Sequence, residues 1–427
     1  MDRRSFIKTG LAVGTVSPFS GSIIKSAFAQ DTELHLTWWG SQDRAKRTLA
    51  VAALFNKAKP GRSVVGEAIG ADYFPKLTTR LVGRNLPDVF QLEPATLTDY
   101  ARRSATLELD RYLGSTIRTQ DLAPGTQDLG KVGGKVQGMP VSINAFSLFY
   151  DADAFRKVNM EPPKPGTTWD EIAKLSIELT KASGRDKFWG LPNASRYTYV
   201  FEGWLHQRGK LLFTADGKLG FNLDDAKAWY TYWDTLRKAG GCVAADIQAT
   251  DATSIESNPL SLGHAAMAFT YSNQLVGYQL MTKSKLGLTT IPVQQAGGKS
   301  GLFYRPGLLW SIGKTSKNPD MAAQFIDFFI NDMEAGKILS VERGVPVNLK
   351  IRQAIAPQLS DVERATVTYI DSIAGLVSPY PPPAPVGFSE FDSRVMRLVA
   401  DELAFGRLNV ADAANKLIAD GNRAIRA

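Results

Sequence analysis

Residues 34–39 (LHLTWW) alternate apolar and polar positions and predict a short strand ended by Gly40. An amphipathic helix is predicted from about Asp43 to Lys59, with Leu49, Ala53, Leu54 and Phe55 on its apolar side and Pro60-Gly61 closing it. A second helix is predicted over Tyr73 to Val82, and a strand over Asp88-Val89-Phe90-Gln91-Leu92. Strand, helix, helix, strand at this spacing predicts a parallel sheet with crossover helices, hence an α/β fold.

Further along, VQGMPVSINAFSLFYDADAF predicts two short strands separated by Ser142-Ile143-Asn144, running into a helix near Asp153 to Val158. Thr168 and Glu171 have the spacing of a capping box, so a helix starts there and ends near Gly184. Asn222 caps another, in which Trp229, Tyr232, Trp233 and Leu236 share helical spacing and belong to a core. HAAMAFTYSN (264–273) and GLLWSIG (307–313) predict strands, and Asn318-Pro319-Asp320 starts a buried helix with cap and proline in their favoured places. SPYPPPAP (378–385) predicts extended, solvated chain, and the sequence ends in helices around 391–405 and 410–425.

The N-terminus departs from this globular pattern. Arg3-Arg4-x-Phe6-x-Lys8 precedes a weakly apolar, Gly- and Ser-rich stretch, and Ala27-Phe28-Ala29 offers small residues two apart. That order predicts an export signal of the twin-arginine type, residues 1–29, cleaved after Ala29. Asp2 departs from the Ser or Thr more usual before the arginines, and an amphipathic N-terminal helix is the alternative. Removing the segment takes +3 (Arg3, Arg4, Lys8, Lys25 against Asp2) from the formal net charge of +8 and leaves +5. The remaining Lys and Arg are scattered, which argues against nucleic-acid binding. No apolar run beyond the signal is long enough for a bilayer, so no membrane insertion is expected.

Cys242 is the one cysteine, which excludes an intrachain disulfide, and it is expected to be a small buried residue. No cysteine lies near the cleavage site, so no lipid anchor is expected there. A freely diffusing exported protein points to an enclosed compartment, most simply a Gram-negative periplasm.

The segments LHLTWWG, Leu86-Pro87-Asp88-Val89-Phe90, GGKVQGMPVSINAFSLFYDADAFRKVNMEPP with TTWDEIAKL, GHAAMAFTYSN, GLLWSIGKTSKNPDMAAQFIDFFIND and GRLNVADAANKLIADGN carry a resemblance by their order and spacing. The chain resembles the extracellular solute-binding proteins of bacterial ABC importers, the class that includes maltose-binding protein. The resemblance implies a two-lobed periplasmic binding protein fold with chain crossings forming a hinge. It implies a first lobe of 30–144 and 308–346, a second of 145–307 and 347–427, and crossings near 144–147, 306–309 and 344–348. It further implies a monomeric receptor that holds a carbohydrate in the cleft, needs no cofactor, and delivers its ligand to a membrane permease.

Ligand residues in such a fold lie at the carboxyl ends of the strands. The candidates are Trp39 and Trp204 for stacking, Gln42, Glu93, Asn144 and Asn273 for hydroxyls, Tyr271 and Tyr304 for either, and Arg343 as a bidentate clamp for a hydroxyl pair or a carboxylate. Each has a structural alternative: a strand sends one of Trp38 and Trp39 into the core, and Trp204 could pack a helix. Asn144 could cap a hinge turn, Tyr304 could be a strand residue, and Arg343 could make a surface ion pair.

Other chemistries lack a motif. Gly313-Lys314-Thr315 has Leu308 where a phosphate loop needs its first glycine, so a strand-to-helix turn is expected. No Gly-x-Ser-x-Gly elbow occurs, and His35, His206 and His264 are dispersed, so no metal site is expected. The rival class is an exported glycosidase, whose two carboxylates come from distant segments. A phosphorylated polyol or a polyamine is the non-sugar alternative.

Overall fold

The computed structural model describes residues 32–425. The proposed signal and its cleavage site lie outside these residues. In chain order, the first unit contains β1 (Thr32–Trp39), α1 (Gln42–Ala58), β2 (Arg62–Ile69), α2 (Tyr73–Val82), β3 (Val89–Leu92) and α3 (Pro94–Arg102). A small hairpin, β4 (Lys131–Val132) and β5 (Lys135–Val136), precedes β6 (Met139–Pro140), β7 (Ser142–Asn144) and β8 (Phe146–Asp151). Then come α4 (Ala152–Lys157), α5 (Trp169–Ser183), α6 (Thr198–Gln207), α7 (Leu223–Lys238), α8 (Ala245–Thr250), β9 (Met267–Tyr271), α9 (Leu275–Met281) and β10 (Leu286–Thr289). The chain returns through β11 (Arg305–Pro306), β12 (Leu309–Ile312), α10 (Pro319–Asn331), α11 (Met333–Leu339) and β13 (Val345–Pro346).

The larger sheet has the order β2-β1-β3-β12-β6, with β1, β2 and β3 parallel and β12 antiparallel to both neighbours. β2 is a strand that the sequence pattern does not predict; its polar edge position and Gly66 and Glu67 hide the alternation. Leu34, Leu36 and Trp38 point into the core at 0% exposure, while Trp39 is only partly buried. Alternation thus sends Trp38 inward and leaves Trp39 at the open end of the strand.

A second sheet, β10-β8-β9, is antiparallel and packs on the α5–α7 aromatic core, where Trp229 and Trp233 are fully buried. The predicted caps form as expected: the Glu171 amide donates to Thr168 Oγ1 at 3.2 Å, and the Asp225 amide to Asn222 Oδ1 at 3.1 Å. Asn318 does not cap α10; its amide donates to the Glu33 carbonyl at 3.2 Å instead. Cys242 is buried, and Gly313 turns the chain out of β12 toward α10.

Between the two sheets lies a third, β11-β7-β13, built from the three segments at which crossings were expected. Arg305 pairs with Asn144, Pro306 and Val345 both with Ile143, and Pro346 with Ser142. Ser142–Asn144, expected as a spacer between strands, is itself the central strand. Past Pro346 the chain still bonds to segments before β7 and after β12: the Leu349 amide bonds the Asp121 carbonyl, and Asn348 Nδ2 donates to Asn331 Oδ1 at 2.7 Å.

Candidate functional site

Over the small central sheet opens a cleft of about 280 Å³, near the lower bound of small-molecule sites at roughly 300 Å³. Trp39, Glu93, Asn144, Asn273 and Arg343 line it, together with Arg44, Glu342, Gly307, Leu308, Val341 and Gly344. Five of the nine candidate residues therefore converge on one recess from segments far apart in the chain.

Trp39 ends β1 and rests against Tyr73 and Phe74, ring centroids 4.8 and 5.1 Å away. Its carbonyl accepts from Arg44 Nη1 at 3.2 Å and from Gln91 Nε2 at 3.1 Å, which holds the strand end in place. Glu93 lies between β3 and α3, and its amide donates to Thr96 Oγ1 at 3.2 Å. Desolvation by the surrounding walls pushes its carboxyl above the usual range, while the nearby Arg305 pulls it back.

Asn144 is 7% exposed and its Oδ1 is buried without a partner. Gly307 and Gly344 make the room for its amide. A Cβ on Gly344, whose φ is +113°, would sit 2.8 Å from Asn144 Oδ1; one on Gly307 would sit 2.3 Å from Ser142 Oγ. Asn144 is thus a strand residue of the central sheet rather than the cap of a turn, with an acceptor left open.

Arg343, expected as a bidentate clamp, lines the cleft with three of its donors already engaged within the protein. It is 8% exposed, and Nη2 donates to Thr48 Oγ1 at 2.7 Å, Nη1 to Glu342 Oε2 at 3.1 Å and Nε to Gln91 Oε1 at 3.3 Å. Burial lowers its pKa to about 9, with Glu342 opposing that shift and Arg44 adding to it. Glu342 also pairs with Arg44 at 2.7 Å, so one carboxylate is shared by two guanidinia in the cleft wall.

Three further candidates lie elsewhere. Trp204 is 4% exposed and packs on Phe201 and Trp229 at 5.9 and 5.7 Å, so it belongs to the core and cannot stack on a ligand. Tyr304 is also 4% exposed and donates to the Ile370 carbonyl at 3.3 Å. Gln42 opens α1, exposed, outside the cleft lining.

Tyr271 ends β9 in a stack of rings: its centroid is 4.3 Å from Phe146, which lies 5.0 Å from Tyr199. Its hydroxyl accepts from Arg305 Nη1, and the guanidinium carbon lies 4.7 Å from its ring centroid. Arg305, unnoticed in the sequence, opens β11 next to Tyr304 and is partly exposed where Tyr304 is buried. A two-residue strand leaves no pattern in the sequence that would single it out. Tyr380, from the proline-rich segment expected to be solvated, lies near Arg305 and packs 5.7 Å from Phe303.

Glu202 on α6 faces the same guanidinium. Burial raises its carboxyl pKa to about 7, against the opposing pull of Arg305. One turn further, His206 is driven down to about 4 by desolvation, and its Nε2 is buried without a partner. No group of three or more His, Cys, Asp or Glu that could hold a metal occurs among the described residues. Nor does any described helix have the length and apolarity to cross a membrane.

Comparison with known proteins places this geometry. A family model described as bacterial extracellular solute-binding protein matches residues 50–365. An arabinooligosaccharide-binding protein of Bacillus subtilis is 21% identical over 340 residues, 75% of this chain and 74% of its own. The sn-glycerol-3-phosphate-binding periplasmic protein of Salmonella typhimurium is 22% identical over 331 residues, 71% of this chain and 72% of its own. The solved structure of an extracellular solute-binding protein family 1 member from Alicyclobacillus acidocaldarius superposes with a TM-score of 0.81 at 27% identity, covering 92% of this chain and 98% of that one. The chain belongs to the bacterial extracellular solute-binding proteins, the binding components of ABC transporters, and has their two-lobed fold.

Proposed function

We propose that this protein is an exported receptor that captures a carbohydrate between its two lobes and delivers it to the membrane permease of an ABC importer, catalysing nothing itself. The cleft lining carries this reading: one half-exposed indole, Trp39, stands beside the carboxylate of Glu93 and the amides of Asn144 and Asn273. A pyranose packs its C–H face on a ring and bonds its hydroxyls to planar acceptors and donors. The arabinooligosaccharide-binding relative supports the same class.

The lobes we propose are 30–144 with 308 to about 355, and 145–307 with the remaining C-terminal helices. The extension past Pro346 follows the bonds of Asn348 and Leu349 to the first unit. Closure about the central sheet would bring Glu93 and Trp39 toward Asn273 and Tyr271, and ligand shifts the equilibrium by binding the closed form better. Export by the twin-arginine route into the periplasm completes the reading. Replacing Arg3 and Arg4 by lysine should leave the precursor in the cytoplasm on fractionation.

The test is the melting shift of the mature protein with neutral and acidic mono- and oligosaccharides, phosphorylated polyols and polyamines, because a ligand of the native state raises the midpoint by mass action. A shift with one sugar class and no turnover of that sugar supports the receptor. Release of reducing ends would make the protein a glycosidase, and shifts with polyamines alone would overturn the carbohydrate assignment.

A further inference from the structure

Arg44 and Arg343 line the cleft, Arg305 lies beside it as the strand partner of Asn144, and the partners of the three differ. Arg44 and Arg343 both share Glu342, at 2.7 and 3.1 Å, and the remaining bonds of Arg343 go to Gln91 and Thr48. Arg305 has no carboxylate oxygen within 4.0 Å among the described residues. It donates to the hydroxyl of Tyr271, over whose ring it lies, and has Tyr380 nearby, both neutral. A guanidinium carries five N–H donors in a rigid fork, so most of the fork is left without an acceptor. Arg305 is partly exposed, and it pairs in the central sheet with Asn144, which lines the cleft.

The nearest acids do not supply its counter-charge. Glu93, on the opposite lobe, and Glu202, on α6, both feel Arg305 but lie beyond ion-pair range. Desolvation raises the Glu202 carboxyl to about 7, so that it carries a full negative charge only above neutral pH. Burial disfavours the Arg305 cation, but its surroundings outweigh that and hold it charged, so its remaining N–H donors are available to an anionic group that a ligand brings. The same excess of positive charge disfavours a polyamine.

We infer that Arg305 is the anchor for an anionic group on the ligand, so that the carbohydrate captured in this cleft is an acidic one. This rests on the carbohydrate reading above and narrows it. The carboxylate of a uronic sugar meets the fork of Arg305, while its ring lies toward Trp39 and its hydroxyls toward Asn144, Asn273 and Glu93. A phosphate group offers the same oxygens, and the experiment separates the two sources.

The test is isothermal titration of the mature protein with matched pairs, a hexose and its hexuronate and short oligomers of each, beside a phosphorylated polyol and a polyamine. Arg305→Gln and Arg305→Lys are titrated in parallel, with unliganded melting curves to establish that each variant is folded. The expected result is a hexuronate or its oligomer binding at least tenfold tighter than its neutral counterpart. Arg305→Gln should weaken that ligand by roughly 10- to 100-fold and erase the preference, with Arg305→Lys, which keeps the charge but not the fork, in between. A neutral sugar binding as tightly as its acid, or a preference that survives in Arg305→Gln, overturns the anchor and leaves the carbohydrate reading standing. Binding of the phosphorylated polyol alone, lost in Arg305→Gln, keeps the anchor and overturns the carbohydrate. Silence across the panel, or binding of the polyamine alone, overturns both.

Discussion

Replacing Glu202 by Gln should stabilise the protein above pH 7 and leave it nearly unchanged below pH 5. The carboxyl pKa stands at about 7 against an ordinary 4.5, because burial on α6 costs its charged form more than Arg305 returns. Between those two values the folded chain holds a proton that the unfolded chain has released. The stabilising contribution is therefore fully present below 4.5 and is lost as pH rises through 7. At 1.36 kcal/mol per pH unit, the ceiling is about 3 kcal/mol, and the partial solvent contact of Glu202 brings the expected difference to about 1–3 kcal/mol. Glutamine mimics the protonated acid at every pH, so wild type and variant should agree at pH 5 and diverge at pH 8. His206 shifts the other way, from 6.5 to about 4, so its contribution is present above 6.5 and lost as pH falls toward 4. The two slopes oppose each other between about pH 4.5 and 6.5 in the wild type, and the variant should expose the histidine slope alone. Denaturant midpoints at pH 5, 6.5 and 8, with unchanged m, measure this. If the stability difference between variant and wild type is the same at pH 5 and pH 8, the carboxyl is not desolvated and the reasoning fails.

Affinity for an acidic ligand should fall as pH rises from 6 to 8, by at most about tenfold per unit, because deprotonated Glu202 sets a negative charge beside Arg305; titrations at several pH values check it, with the neutral sugar as control. Gly344→Ala should cost about 1–3 kcal/mol and weaken ligand binding, since its φ of +113° is strained for any side chain and the new Cβ would press on Asn144 Oδ1; a melting curve and a titration read the two effects. Trp204→Ala should cost about 3–5 kcal/mol yet leave the affinity of the folded fraction unchanged. Trp39→Ala should do the reverse, a small stability loss and a clear affinity loss; equal affinity losses in the two would contradict their placement.

The elements that could be read from the sequence are those whose periodicity answers to a single buried face. The helix over Tyr73–Val82 and the strand of Leu34, Leu36 and Trp38 were legible because water on one side and core on the other impose one spacing. β2 was not, because an edge strand with Gly66 and Glu67 buries few of its positions. Ser142–Asn144 was misread for a different reason. It is central in a sheet whose other strands, β11 and β13, lie more than 150 residues away in sequence, and no local pattern announces partners at that distance. Asn318 shows the same limit: a good capping residue is only a prior, and a competing carbonyl on β1 won its side chain.

The fate of the arginines shows why the site was less legible than the fold. Arg343 and Arg305 look alike in sequence, each one residue from a glycine or proline at a crossing. What separates them is the supply of acceptors from other segments. Gln91, Glu342 and Thr48 surround Arg343 and consume its donors, and Trp310 and Phe329 rings lie 5.8 and 5.4 Å from it. Arg305 meets two phenols and no carboxylate within ion-pair range among the described residues. No strand pattern ranks them: β11 is only Arg305–Pro306, Tyr304 lies just outside it, and Arg343 precedes β13 in a turn. Packing demoted Trp204, whose helix turns its indole into the core and its neighbour two residues earlier, Glu202, toward Arg305. A ligand-facing residue is thus the one next to, and not in place of, the residue that the core requires.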